Sequence, residues 1–162
     1  TPGVGSRFWI TARLGVADEA AVLSERPAIQ SVRQLKGRVL LVEDDAINRE
    51  IAKEMIAMTG VSLTLAENGL VAVNCLKGSD FDLVLMDIQM PVLDGYAATA
   101  RIRAWEQDAG RTPKIPIVAL TADAFEEDHQ RSLAAGMDDF LSKPFRSDAL
   151  AAILQRFALS GD

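Results

Sequence analysis

The chain contains 162 residues, of which 49% are hydrophobic and 25% are charged, and its formal net charge is −6. That size allows one full domain plus additional sequence, and the acidic balance gives no support for direct nucleic-acid binding. The single cysteine, Cys75, excludes an internal disulfide bond and fits a reducing, cytoplasmic compartment. No apolar run reaches transmembrane length and no signal-peptide pattern is present, so we expect no membrane contact by this chain. Because the sequence begins with Thr1 rather than Met, we expect it to be part of a longer protein, which could itself be anchored in a membrane.

Residues 1–17 combine two early glycines with an alternating apolar segment, Phe8 to Leu14, which predicts a turn followed by a strand. The stretch GVGSRFWIT resembles the last glycine box and following strand of the ATP-binding domain of sensor histidine kinases. The resemblance implies a short remnant of that domain, without most of its nucleotide pocket. One strand cannot bury its apolar face by itself, so we expect three residues to dock on the following domain, pair with another chain or remain mobile: Phe8, Trp9 and Ile10.

Residues 18–36 lack strong periodicity and contain Pro27, which predicts an interdomain linker. From residue 37 the pattern becomes regular, so residues 37–162 are predicted to form the main domain. Short apolar runs predict strands at 38–42, 61–66, 81–86, 117–120 and 139–141. Helical periodicity predicts helices at 47–58, 70–76, 95–105, 125–135 and 147–159. In the first helix the periodic apolar residues are Ile47, Ile51, Met55 and Met58.

This alternation of strands and helices predicts an α/β fold with a parallel sheet covered by helices on both faces. The compact arrangement is a flavodoxin-like (βα)5 doubly wound sheet with strand order 2-1-3-4-5. Its functional crevice lies at the carboxyl ends of strands 1 and 3.

The stretch Phe81 to Gly95, FDLVLMDIQMPVLDG, is the centre of this pattern. A fully apolar run predicts a strand buried on both faces, and it ends on a carboxylate, Asp87. Taken alone, Asp87 is either a turn or helix-capping residue or a functional carboxylate at the tip of the strand.

Polar residues follow the other predicted strands at the same edge of the sheet. They are Glu43 and Asp44 after strand 1, Thr121 and Ala122 after strand 4, and Lys143 after strand 5. With Asp87, three carboxylates then share one pocket, which is unfavourable without a cation, and an all-oxygen ligand set favours Mg²⁺. A lysine and a hydroxyl beside the metal could hold an anion. The set predicts phosphoryl transfer onto Asp87.

The run Glu43-Asp44-Asp45 offers two possible acidic pairs. The apolar strand ends at Val42, which favours the first two residues as the pair. Asp45 is then expected to cap the helix that starts near Ala46.

Four segments in order, LLVEDDAINR, LVLMDIQMPVLDG, IVALTA and DDFLSKPF, resemble the motifs of response-regulator receiver domains. The resemblance extends from Gly37 to about Leu159. Together with the kinase-like segment at the start, it implies the C-terminal part of a hybrid sensor histidine kinase.

The resemblance assigns metal and acceptor roles residue by residue. It implies that Asp87 accepts the phosphoryl group and that Asp44 binds Mg²⁺ directly. Glu43 is expected to act through water, and Gln89 to contribute its backbone carbonyl.

Switch roles are also implied by the resemblance. Thr121 matches the hydroxyl that bonds the phosphoryl group, with the small Ala122 beside it. Lys143 matches the family lysine, and the Lys143-Pro144 peptide is expected to be cis. Phe140 matches the switch aromatic, which can turn inward but has no hydroxyl.

Several other residues are expected to have structural roles. His129, the only histidine, lies in a polar helix and is interpreted as a solvated surface residue, so the phosphoryl donor must lie elsewhere. Cys75 is expected in the core, and Trp105 at the sheet edge or the start of a polar loop. Asp138 and Asp139 are expected to belong to a loop or a cap.

The resulting hypothesis is a phospho-accepting receiver domain whose helix 4–strand 5–helix 5 surface changes on phosphorylation. Its expected partner is a histidine-containing phosphotransfer domain or the parent kinase core, docking along helix 1. The fragment would only assist its own phosphorylation and dephosphorylation, because it lacks the kinase core. The alternatives are a degenerate receiver that serves only as an interaction module, and a kinase fragment with residual nucleotide binding.

Overall fold

A computed structural model describes residues 35–122, 126–144 and 146–157. The predictions made for residues 1–34, including the kinase-like strand and most of the linker, lie outside these described residues. The strands are β1 (Arg38–Val42), β2 (Ser62–Ala66), β3 (Leu83–Asp87), β4 (Ile117–Thr121) and β5 (Asp139–Ser142). The helices are α1 (Ala46–Ala57), α2 (Gly69–Gly78), α3 (Gly95–Asp108), α4 (Glu126–Ala134) and α5 (Ser147–Phe157).

The five strands form one parallel sheet in the order β2-β1-β3-β4-β5, which confirms the predicted flavodoxin-like topology. Every residue of β3 and β4 is buried. Two separate apolar clusters cover the sheet, as expected when alternate residues of central strands point to opposite faces. None of the described helices is both long and apolar enough to cross a membrane.

Helix α1 does not bury the apolar residues that predict it. Ile47 is 71% exposed and Met58 is 77% exposed, whereas the buried residues of the helix are Ala52 and Ile56. Ala52 and Ile56 form the inner face of α1, whereas Ile47 and Ile51 lie on its outer side. The periodicity predicted the helix but not the face that it buries.

The predicted loop from Glu106 to Lys114 is wrong in its first residues, because α3 continues to Asp108. Glu106 is buried, where it accepts a hydrogen bond from the backbone N–H of Ile115 at 2.6 Å and pairs with Arg103 at 2.7 Å. These two contacts compensate the burial of a charged residue that was predicted to lie in a polar loop. Trp105 lies within the helix and packs against the core.

Arg103 extends this network to the start of β5. Its guanidinium donates to the Ile115 carbonyl at 2.9 Å and to Asp138 at 2.8 Å. Asp138 also accepts from the backbone N–H of Ile117 at 2.8 Å. Asp139 pairs with Arg156, so the two aspartates have structural contacts, as predicted, through ion pairs rather than a helix cap.

Candidate functional site

Asp87 is the last residue of β3, the central strand of the sheet. It lies opposite Leu120 of β4, and the preceding residue, Met86, lies opposite Val42 of β1. Its side chain is buried, at the edge where the carboxyl ends of β1, β3 and β4 meet. We call this the carboxyl edge of the sheet. A crevice at this edge is where open α/β sheets bind ligands.

The loop after β3 returns directly to this edge because Gly95 has no side chain. A Cβ atom on Gly95 would lie 2.3 Å from the carbonyl oxygen of Asp87, a contact that no other residue could accommodate. The Gly95 N–H donates to the Ile88 carbonyl at 3.0 Å. Asp94 caps α3 by accepting from Ala97 at 2.7 Å. The start of α3 is thereby held against the end of β3.

Three carboxylates meet at the carboxyl edge. One oxygen atom from each of Glu43, Asp44 and Asp87 lies within 4.8 Å of the others. Glu43 and Asp87 are buried, and Asp44 is exposed. Asp45 does not join them, because it caps α1 and accepts from the N–H groups of Ile47 and Asn48, both at 2.9 Å. The geometry therefore favours the Glu43-Asp44 pair over the alternative that contained Asp45.

Lys143 reaches the same cluster from the end of β5. Its ammonium lies 2.8 Å from Asp87 Oδ2 and also contacts Glu43 Oε2. The Lys143 N–H donates to the Thr121 carbonyl at 2.6 Å, which holds the residue beside β4. The peptide between Lys143 and Pro144 is cis, as the resemblance implied.

The electrostatics of the cluster are unbalanced. Burial raises the pKa of Asp87, and the negative charge of Glu43 adds to the shift, although the Lys143 ammonium opposes it. Burial alone would lower the pKa of Lys143, but its bonds to Asp87 and Glu43 outweigh burial and raise that pKa. Two buried carboxylates thus share one ammonium, with a third carboxylate nearby. Such a site favours an additional cation.

The oxygen atoms present fit a magnesium ion. The cluster offers three carboxylate oxygens, which suit a hard divalent cation, and the exposed Asp44 leaves the outer side open to water. Gln89 contacts Asp87 through its backbone: its N–H donates to Asp87 Oδ1 at 3.2 Å, and its side chain is exposed.

Of the remaining predicted residues, two line the same cavity of about 720 Å³ and one does not. Thr121 is buried at the end of β4 and lines the cavity together with Ala122. Phe140 does not line it. Its half-buried ring packs against the core, and its centroid lies 4.4 Å from that of His129. The prediction that His129 is a solvated surface residue is therefore wrong, because the polar helix places it against Phe140.

Several residues of the cavity wall were not found from the sequence, and two of them contact each other. Tyr96, near the start of α3, and Arg131, on α4, both line the cavity, and the Arg131 guanidinium carbon lies 4.6 Å from the centre of the Tyr96 ring. The only sequence signal was an arginine within the polar helix EEDHQRS. Its partner is 35 positions away in the chain and was not predictable.

Residues 39–155 match the family described as "Response regulator receiver domain". The chain therefore belongs to the response regulator receiver domain family, a component of two-component and phosphorelay signalling.

Curated relatives include both kinases and regulators. The chain is 41% identical over 120 residues to the sensor protein GacS of Pseudomonas syringae pv. syringae, a match that covers 74% of this chain and 13% of GacS. It is 44% identical to the two-component response regulator ORR41 of Oryza sativa subsp. japonica, over 76% of this chain and 95% of ORR41. The chain thus spans only a small part of the kinase relative and nearly all of the regulator.

Solved structures agree with the fold. The receiver domain of sensor histidine kinase PA1611 from Pseudomonas aeruginosa PAO1, with a magnesium ion coordinated in its active site cleft, is 42% identical with a TM-score of 0.67. That match covers 75% of this chain and 97% of the other. A second match is the co-crystal structure of the Saccharomyces cerevisiae histidine phosphotransfer protein Ypd1 and the receiver domain of Ssk1. There the identity is 36% and the TM-score 0.73, over 76% of this chain and 89% of that one.

Proposed function

We propose that this receiver domain accepts a phosphoryl group on Asp87 from a phosphohistidine, in a reaction that depends on Mg²⁺. The observation that supports this most directly is the contact of the Lys143 ammonium with both Asp87 and Glu43. It leaves a buried carboxylate beside one cation and within reach of two further carboxylates. This is the arrangement that a carboxylate nucleophile and a divalent cation need.

The transfer forms one bond and breaks one bond. A carboxylate oxygen of Asp87 attacks the phosphorus, and the bond between phosphorus and the donor imidazole nitrogen breaks. That nitrogen keeps the electron pair and binds a proton. Lys143 and Thr121 would bind oxygens of the transferred group and stabilise its charge.

Magnesium would be held by Glu43, Asp44, Asp87 and the backbone carbonyl of Gln89. When bound, it neutralises negative charge on the carboxylates and on the phosphoryl oxygens. The cleft magnesium in the PA1611 receiver supports this proposal.

The switch that follows would use Thr121 and Phe140. If Thr121 moves toward the phosphoryl group, Phe140 can turn into the space that it leaves. His129 contacts Phe140, so this rotation would also change the position of α4 relative to β5. The altered surface would comprise α4, β5 and α5.

The donor is proposed to dock on the outer face of α1. Ile47, Ile51 and Met58 are 71%, 47% and 77% exposed there, and an apolar patch of this kind suggests a protein interface. Asp45 and Asn48 of the same segment line the cavity, so a partner on α1 would lie beside Asp87. We propose a histidine-containing phosphotransfer domain or a kinase core as this partner, by analogy with the Ypd1 complex.

We further propose that the parent is a hybrid histidine kinase, which could itself be anchored in a membrane, and that this fragment of it is cytoplasmic. The fragment would contain a remnant of the kinase ATP-binding domain at residues 1–17, a linker at 18–36 and the receiver at 37–162. Relatives such as the hybrid signal transduction histidine kinase G of Dictyostelium discoideum, 43% identical over 80% of this chain, support a hybrid kinase as the parent. The match covers 4% of that kinase, so the kinase activity belongs to the parent and not to this fragment.

Labelling with acetyl phosphate and Mg²⁺ tests the acceptor. We expect the wild type to be labelled and Asp87→Asn to be unlabelled. Asp45→Asn is the matched control: it also removes a carboxylate near the cavity, but asparagine still caps α1, so labelling should persist. Labelling of Asp87→Asn would contradict the assignment. An unlabelled wild type that also fails to bind beryllium fluoride would favour the degenerate receiver.

A further inference from the structure

Lys143 is not the only cation that lines the cavity. Arg131 extends from α4 into the cavity wall, and its guanidinium lies over the ring of Tyr96. The Arg131 side chain makes no ion pair with another described residue. A surface arginine on an aromatic ring is common, so what matters is that Arg131 lines the same cavity as Asp87 and which charges are present there.

Phosphorylation adds negative charge to a cavity in which carboxylates already outnumber basic side chains. Glu43, Asp44 and Asp87 carry three negative charges when ionised, which Lys143 and one Mg²⁺ would match. Phosphorylation of Asp87 replaces one negative charge by about two at neutral pH. The added charge lies in a cavity that Asp45 and Asp94 also line, and Arg131 is the second cation among the described lining residues.

The contact of Arg131 with Tyr96 is weak enough to be replaced by a contact with phosphoryl oxygens. An exposed cation–π contact contributes only about 0.5–1 kcal/mol. A guanidinium binds phosphoryl oxygens through two parallel N–H donors, which is a stronger and more specific interaction. Arg131 therefore has a better partner available once a phosphoryl group is present.

We propose that Arg131 is a phosphoryl-binding residue that leaves Tyr96 and binds the phosphoryl oxygens when Asp87 is phosphorylated. The inference rests on the proposed function, because it assumes that Asp87 is the acceptor. It assigns opposite effects to the two partners: Arg131 stabilises the phosphorylated state, and Tyr96 competes for Arg131.

Titration of the domain with beryllium fluoride in the presence of Mg²⁺ tests this assignment. Arg131→Met keeps most of the side-chain bulk but removes the charge, and should weaken binding about fivefold or more. Arg131→Lys should have an intermediate affinity, because it keeps the charge but lacks the two parallel N–H donors of a guanidinium. Tyr96→Leu should tighten binding about two- to fivefold, because it removes the competing contact.

Arg101→Met is the matched control. Arg101 is an exposed arginine of α3 that does not line this cavity, so its loss changes the net charge equally and should leave binding unchanged. NMR of the arginine Nε–H groups adds a readout independent of affinity: the Arg131 signal should shift on addition of beryllium fluoride, and the Arg101 signal should not.

The outcomes separate the two proposals. Equal affinities of wild type and Arg131→Met would overturn the inference while leaving Asp87 as the acceptor. Weaker binding by Tyr96→Leu would also overturn it, since Tyr96 would then position Arg131 rather than compete for it. Failure of the wild type itself to bind would overturn the proposed function and, with it, the inference.

Discussion

Two buried glutamates, at opposite edges of the sheet, differ in how their charges are compensated. Glu106, at the amino edge, pairs with Arg103 and accepts the N–H of Ile115, and Arg103 also reaches Asp138. Glu43, at the carboxyl edge, shares Lys143 with Asp87.

The difference separates a structural ion pair from a ligand-binding site. At the amino edge Arg103 pairs with both Glu106 and Asp138, each of which also accepts a backbone N–H, and the network joins α3 to the start of β4. At the carboxyl edge the carboxylates outnumber the cations until a metal binds. Buried ion pairs of both kinds are costly to desolvate, but only the second leaves a favourable interaction for a ligand to supply.

The largest expected effect on stability is at the amino edge. Glu106→Ala leaves Arg103 without its buried partner and the Ile115 N–H without its acceptor, so it should lower the free energy of unfolding by about 3–5 kcal/mol. Urea denaturation measures the loss. Glu54→Ala, on the exposed side of α1, is the control and should change stability by less than about 0.5 kcal/mol. A small effect of Glu106→Ala would show that the network is not a main source of stability. If the variant does not fold, Glu106→Gln should fold with a smaller loss.

Magnesium should stabilise the domain by binding at the carboxyl edge. At a concentration about 100 times its dissociation constant, a ligand adds about 2.7 kcal/mol to the free energy of unfolding. Thermal melts with MgCl₂ and with EDTA should show this increase for the wild type, and Asp44→Asn should lose most of it. Asp45→Asn should respond like the wild type. An undiminished response of Asp44→Asn would exclude Asp44 as a direct ligand.

Removing one charge at the carboxyl edge should stabilise the metal-free protein. Burial raises the pKa of Asp87 in the folded state, so ionisation of Asp87 disfavours folding. Below the unfolded pKa near 3.8 both states are protonated, and Asp87 has no effect. The penalty appears as the pH rises through the folded pKa and is complete above it.

Asp87→Asn should therefore be more stable than the wild type in EDTA at pH 7, by on the order of 1 kcal/mol. This difference in the free energy of unfolding should shrink as the pH falls toward 4. Denaturant titrations of both proteins between pH 4 and 8 measure it. A difference in stability that widens on acidification would show that the Lys143 contact, rather than burial, dominates the pKa shift of Asp87.

Backbone strain also distinguishes the carboxyl edge. Among the described residues, Val92, in the loop after β3, is the one non-glycine residue with a positive φ, at 71°. This conformation is unfavourable for a β-branched side chain, and Val92 is 77% exposed, so packing offsets little of the cost. Val92→Gly should raise stability by up to about 1 kcal/mol, whereas Val92→Ala should change it less. A destabilised glycine variant, measured by the same urea titration, would indicate that the valine side chain supports the loop.

The order of apolar and polar residues in the sequence was sufficient to predict most of the fold and the residues of the cluster at the carboxyl edge. The apolar runs that end at Val42, Met86 and Leu120 predicted the central strands, and the rule that parallel strands place polar residues at one edge predicted the cluster. Glu43, Asp44, Asp87, Thr121 and Lys143 all lie where this reasoning placed them. Asp45 was recognised as a cap because capping depends on the next three residues.

Only the tertiary structure decided features that depend on distant partners. Ile47 and Met58 are exposed because Ala52 and Ile56 form the inner face of α1. Glu106 is buried because Arg103 and the Ile115 N–H compensate its charge, which no local pattern reveals. Likewise, the sequence predicted the carboxylate cluster around Asp87, but the contact of Arg131 with Tyr96 required α3 and α4 to be placed beside the same cavity.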